Sequence, residues 1–265
     1  MFFRVDTVVL WILVFALMLG ATALGLLAGR LLRRHSDGLR EPIGVVQGAL
    51  LGFVALILAF GLSLAVGRYE TRRAATVDEA NAIGTTYLRA QTLLEPQRSA
   101  SLALLRPYTD ATIRLSHEPP GSAGFRRTLA EAGVMQRRLW ALAGEALDRS
   151  PDASAPRLYV ETLNETFDAL STRAAALDNR VPGPVLAVEV GGAAASLFLL
   201  ALYLAFVGRG TTTVVAAAAL VALLLLITFD LDRPVRGLIT VPDTPLVAAR
   251  AEMALPPAAA APAPP

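Results

Sequence analysis

Four stretches of this chain lack the charges that water would require. They run from Thr7 to Gly29, Ile43 to Gly67, Val185 to Val207 and Thr211 to Phe229, and the third carries the one acid among them, Glu189. About 20 mostly apolar residues in a helix span a hydrocarbon core of about 30 Å. In that medium each backbone N–H and C=O must be satisfied inside the protein, which leaves helices or closed barrels. Runs this long and unalternating specify helices. The composition agrees: mean hydropathy is +0.53, with 54% apolar and 17% charged residues, against about 25% charged in ordinary soluble domains. From Arg68 to Arg180 the charge density returns to roughly that norm, so one polypeptide holds a membrane part and a water-facing part.

An all-α protein follows, with four transmembrane helices and a water-facing helical bundle inserted between the second and third. Residues 1–67 form the first transmembrane pair, with spans at 7–29 and 43–67. Residues 68–184 form the water-facing region. Residues 185–229 form a second hairpin, with spans at 185–207 and 211–229 joined by Gly208, Arg209 and Gly210. A post-membrane segment occupies 230–250, and the Ala/Pro tail at 251–265 is expected to be disordered.

Inside the bundle, apolar residues recur at helical spacing. The four runs are Ala80-Ile83-Tyr87-Ala90-Leu94, Leu104-Tyr108-Ala111-Leu115, Ala132-Met135-Leu139-Leu142-Ala146 and Leu163-Phe167-Leu170-Ala174-Leu177. Breakers separate them at Pro96, Pro119-Pro120-Gly121, Pro151 and Pro182. No proline lies between Pro42 and Pro96. The second span can therefore run on into the first polar helix as one rod of roughly 80 Å, with Gly67 and Gly84 the places where it would bend.

Small residues repeat every four positions on two spans. Gly44, Gly48 and Gly52 do so on the second, and Ala21, Gly25 and Gly29 on the first. Such faces let backbones approach closely in lipid, so these helices are expected to pack on each other or on a neighbouring subunit. Arginine placement sets membrane orientation. Arg4, Arg68, Arg72, Arg73, Arg173, Arg180, Arg233 and Arg236 lie on the side of the bundle and termini, against Arg30, Arg33, Arg34, Arg40 and Arg209 on the other. That bias leans towards both termini and the 68–184 region in the cytoplasm; the spans themselves suit a multi-pass inner-membrane protein.

Catalytic constellations are missing. The chain has no Cys, all 24 of its basic residues are Arg, and His35 and His117 stand alone in polar turns. With no triad, phosphate loop, dinucleotide fingerprint or zinc-protease helix, an enzyme is not expected, nor a cofactor. Acidic and basic residues alternate, which gives no patch for nucleic acid. Two polar clusters at the membrane boundary remain. One comprises Arg68, Glu70, Arg72 and Arg73, followed by Asp78, Glu79 and Asn81; its spacing suits pairing along a helix face. The other is Asp230, Asp232 and Arg233, after the fourth span. Two acids at a helix C-terminus oppose the helix dipole. They call for a partner such as Arg233, Arg72 or Arg73, or for a bound cation, which makes Asp230 and Asp232 candidate metal ligands.

At these clusters the chain resembles a known family. Glu79 to Arg89, reading EANAIGTTYLR, and Asp230 to Ile239, reading DLDRPVRGLI, are similar to the bestrophin-like family of bacterial membrane proteins of unknown function, over about Gln47 to Arg250. The resemblance implies a comparison with bestrophins proper, which are pentameric ion channels with four spans, a pore along the second, and cytosolic helices between the second and third. Leu51-Gly52-Phe53 resembles the Leu-Gly-Phe of the bestrophin pore neck. It makes Phe53 a candidate constriction residue, with Ala49 and Val45 one and two turns earlier, although bestrophins place bulkier residues at the position of Ala49. Arg68-Tyr69-Glu70 stands where bacterial bestrophins have Arg-Trp-Trp-Glu. The dense acidic run of the animal calcium clasp is missing after Asp232. The implied protein is a homo-oligomer in the lipid bilayer that conducts an inorganic ion. The alternative is a membrane-anchored interaction or scaffold protein that uses the 68–180 bundle.

Overall fold

The computed structural model describes residues 7–33, 38, 40–208 and 210–258; Arg4, Arg34, His35, Arg209 and the end of the tail lie outside the described residues. Eight helices and no strand occur among the described residues: α1 (Thr7–Leu32), α2 (Arg40–Ala90), α3 (Gln97–Leu115), α4 (Ala123–Arg149), α5 (Ser154–Asp178), α6 (Gly183–Val207), α7 (Thr211–Leu231) and α8 (Thr244–Glu252). Four are long and apolar enough to cross a membrane. The chain divides into two compact units, one of residues 1–68 and 180–239, the other of residues 69–179 and 240–265. Helix α2 contributes to both and is one helix of 51 residues that passes through Gly67 and Gly84.

The membrane unit packs on a small set of inward stripes. On α1 these are Leu10, Val14, Met18, Thr22, Gly25 and Gly29, spaced mostly by four and so on one face. On α2 they are Gln47, Val54, Leu58, Gly61 and Ala65. They meet Leu186, Ala193 and Leu197 of α6 and Ala218, Ala222, Leu225 and Phe229 of α7. Helix α7 is the most enclosed span and α2 the least. Between α6 and α7 the chain reverses at Gly208 and Gly210, which take φ of 78° and 98°; a side chain at either would be strained there.

The small-residue face of α1 finds a partner other than the second span. A Cβ on Gly25 would strike the Phe198 carbonyl and lie 2.8 Å from the Ala201 Cβ, and one on Gly29 would lie 2.8 Å from the Leu202 carbonyl. The close contact is therefore α1 against α6. Gly44 of α2 faces the Tyr203 ring, while a Cβ on Gly48 or Gly52 would meet no described atom within 4 Å.

The second unit buries most of the apolar residues expected from periodicity: Ala80, Ile83, Tyr87, Tyr108, Leu115, Ala132, Leu139, Leu163, Leu170 and Leu177 share one core. Leu93 and Leu105, rather than the expected Leu94 and Leu104, are the fully buried leucines at their turns, and Leu104, Met135 and Phe167 are partly buried against that core. Helix α8, which lies partly in the expected tail, belongs to this core through Leu246 and Met253. The Met253 carbonyl accepts hydrogen bonds from the Tyr87 hydroxyl (3.0 Å) and Arg106 (2.9 Å), and Arg250 forks onto Asp110 at 2.7 and 3.3 Å. Order thus continues past 251. The cause is a methionine that fills the bundle and a carbonyl that two side chains hold.

Because the α1–α6 contact is backbone to backbone, Gly25→Ala and Gly29→Ala are each expected to lower the melting temperature of the detergent-solubilised protein by about 3–10 °C. Gly20→Ala, where a Cβ meets nothing within 4 Å, serves as the silent control. Equal melting of all three would refute the contact.

Candidate functional site

The first polar cluster separates by face. Glu70, Arg73, Asp78 and Asn81 are exposed, and Glu70 meets Arg73 at 3.5 Å on the surface, an arrangement worth little. Arg72 and Glu79 point inward and are fully buried. Arg72 donates from Nε to the Ala176 carbonyl (3.2 Å) and from Nη2 to the Asn179 carbonyl (2.6 Å). It thereby satisfies the C-terminal carbonyls of α5, where a cation also suits the helix dipole. Arg68 is half-buried, with Nε and Nη1 lacking hydrogen-bond partners.

Glu79 pairs with Arg173 of α5, 2.6 Å from Oε2 to Nη1, both side chains at most 1% exposed. Arg173 also donates to the Thr112 carbonyl and the Ser116 hydroxyl. Burial pushes the Glu79 carboxyl above its ordinary value, and the Arg173 guanidinium pulls against that. The same burial, with Glu79 nearby, raises the Tyr108 phenol. Two turns along α2, the Thr86 hydroxyl donates to the Thr162 carbonyl (2.9 Å) and lies 2.8 Å from the Thr166 hydroxyl. The polar letters of EANAIGTTYLR that point inward thus fasten α2 to α5. The sequence pattern marks Arg173 only as an arginine on the bundle side, not as the partner of Glu79. Its signal was an arginine at the core register of α5, between Leu170 and Leu177.

The second cluster closes the chain after α7. The Asp230 carboxylate accepts the N–H groups of Leu238 (3.0 Å) and Ile239 (2.7 Å). Asp232 accepts the N–H of Val181 at 3.1 and 3.2 Å. Gly237 makes room for this contact, since a Cβ there would stand 2.7 Å from the Asp230 carboxylate and one of them would have to shift. Arg233 donates to the Thr7 hydroxyl, which donates in turn to the Arg236 carbonyl. Asp230 thus has two backbone amides as partners among the described residues. Among the described residues no group of three or more His, Asp or Glu is placed to hold a metal.

Val45, Ala49 and Phe53 lie on one exposed face of α2, with Val45 68% and Phe53 61% exposed, and Leu56 and Phe60 extend the stripe. On the opposite face sits a pair that the spacing did not reveal. The Glu189 carboxyl of α6 is 1% exposed, with no hydrogen-bond partner on either oxygen. It is lodged against Gly61, where any Cβ would collide with it.

This arrangement has relatives. The sequence profile described as Bestrophin-like domain matches residues 10–246. The chain belongs to the bestrophin-like family. A crystal structure of a bacterial bestrophin homologue from Klebsiella pneumoniae, with a single tyrosine-to-alanine substitution, superposes with a TM-score of 0.68 at 15% identity, covering 89% of this chain and 97% of that one. A second structure of that homologue, phased from zinc, gives 0.65 at 15% identity, covering 89% and 95%. At such identity the likeness shows the fold. No curated protein matches this sequence. The bestrophin-like protein is thus an all-α membrane protein whose two family motifs build its internal joints.

Two measurements test these joints. Arg173→Met leaves a buried carboxylate alone and is expected to destabilise the protein by about 3–5 kcal/mol, whereas Glu79→Met with Arg173→Met recovers most of that loss; a double-mutant cycle that showed additivity would refute the pairing. Gly61→Ala is expected to lower thermal stability in the native background and to be nearly neutral when Glu189 is also replaced by Ala.

Proposed function

We propose that this bestrophin-like protein assembles into an oligomeric ion channel whose pore is lined by the membrane-spanning part of α2. The carrying observation is the outward stripe of Val45, Ala49 and Phe53 on the least enclosed span. Beside it Gly48 and Gly52 present a surface that no described atom fills, and a neighbouring copy can lie close against such a surface. The resemblance of Leu51-Gly52-Phe53 to the bestrophin neck supports the same choice of helix.

Apolar constrictions gate pores by dewetting, with no charged latch. Ala49 is too small to narrow a pore, so the constriction falls on the Phe53 ring, with Val45 two turns away. The arginine distribution supports the cytoplasmic membrane as the location, with the termini and the water-facing unit in the cytoplasm.

Purified protein in planar bilayers is expected to give discrete ion currents. Phe53→Ala should raise the open conductance or open time several-fold, and native mass spectrometry should find an oligomer. A chain that is monomeric and silent in bilayers, and unchanged by Phe53→Ala, would overturn the channel.

A further inference from the structure

Glu189 is the one acid within the four apolar stretches, and it lies about 9 Å inside α6 by the rise of that helix. Its side chain is 1% exposed, and neither carboxyl oxygen has a hydrogen-bond partner. Leu186 and Ala193 flank it on the same face of α6, and Leu58 and Ala65 flank Gly61 on the facing stripe of α2, all of them buried. Among the described residues no counter-charge faces it. Helices α1 and α7 carry no charged side chain from Thr7 to Gly29 or from Thr211 to Phe229, and α6 has no other from Val185 to Val207. The second titratable group of that span, Tyr203, is about four turns away. On α2 the nearest charge is Arg68, about 10 Å along the axis beyond Gly61. At that end of the unit Asp230 and Asp232 accept backbone amides, Arg233 donates to Thr7, and Arg180 precedes α6.

An ionised carboxylate in such a setting costs far more than the neutral acid. What neutralises it is narrowly restricted. Hard metal cations gather about six or more oxygen ligands, and among the described residues no group of three or more His, Asp or Glu is placed to hold one. Gly61 also occupies the space that a coordination shell would need, so close that any Cβ there would collide with the carboxyl. A proton needs no such space and no further ligand. We propose that Glu189 is a proton-binding site of the membrane unit: α6 seats on Gly61 with this carboxyl protonated, and α6 loosens from α2 when a rise in pH removes the proton. The site works through packing and is independent of whether the membrane unit conducts.

A proton that is held in the folded protein and released on unfolding makes stability fall as pH rises. The test melts the full-length protein in detergent over a pH series, beside Glu189→Gln, which keeps the shape and stays neutral throughout. Above about pH 5 an unfolded glutamate is ionised. From there the native melting temperature should fall about 3–5 °C per pH unit faster than that of Glu189→Gln, for as long as the folded protein keeps its proton. Comparing the two cancels Glu79 and every other group that both proteins share. At neutral pH the infrared difference between native protein and Glu189→Gln should contain the C=O stretch of a protonated carboxylic acid. Three results would each overturn the proposal: parallel pH dependence of the two proteins; a difference spectrum with the bands of an ionised carboxylate, as when water or Arg68 holds the charge; or a Glu189→Gln protein that fails to fold, since a neutral isostere should replace a neutral acid.

Discussion

Hydrocarbon offers no hydrogen bonds, and that single constraint organises the membrane unit. Each of the four spans satisfies its own backbone as a helix, and several of the polar side chains within the spans turn inward, although Ser63 is exposed. Thr22 and Thr228 return their hydroxyls to carbonyls four residues earlier, at 2.8 and 3.0 Å, as threonine does where nothing else can accept. Gln47, Ser196 and Glu189 are likewise buried. Packing between spans then comes from shape. Helix α1 approaches α6 because Gly25 and Gly29 remove the atoms that would hold them apart.

In the water-facing unit the constraint is reversed: water is everywhere, and what must be justified is charge taken out of it. Glu79, Arg173 and Arg72 are fully buried, each compensated by a counter-charge or by carbonyls at a helix end. A buried ion pair contributes little net stability over an apolar core, but losing one member is severe. Such a pair therefore fixes how α2 and α5 register more than how tightly they bind. At the Asp230 and Asp232 joints backbone amides of Leu238, Ile239 and Val181 contribute to that compensation. Both family strings thus encode internal fastenings, and α2 carries its candidate pore residues on a different stretch, at Val45 to Phe53.

The legible and illegible parts of the chain divide along the same physics. Span number, helix type and the bundle's core register could be read, because apolar periodicity is imposed by burial and each position reports on its own environment. The length of α2 was legible from the missing prolines. Partners were not. The match of Gly25 and Gly29 with α6 rather than α2, of Glu79 with Arg173, and of Glu189 with Gly61 each joins residues far apart in sequence, and no local spacing records such pairs. The end of α8 was masked by composition: an Ala/Pro-rich ending suggests a free tail, yet Leu246 and Met253 supply buried apolar surface, with Tyr87 and Arg106 on the Met253 carbonyl, that docks it.

The spans themselves show why polar residues inform most where they are rarest. Along α1, α6 and α7 apolar side chains cover nearly the whole circumference, so their periodicity says little about which face turns inward; lipid accepts a leucine as readily as the interior does. The inward face is marked instead by the exceptions, glycine and threonine on α1 and Glu189 and Ser196 on α6. Glu189 is the extreme case. A carboxyl at membrane depth is costly wherever it faces lipid, and on α6 it could have faced lipid at many rotations. It faces Gly61, the position on α2 where a missing side chain leaves room for it. One acid and one glycine thereby fix the rotation of α6 on α2, and with it which side of α2 remains outward for Val45, Ala49 and Phe53.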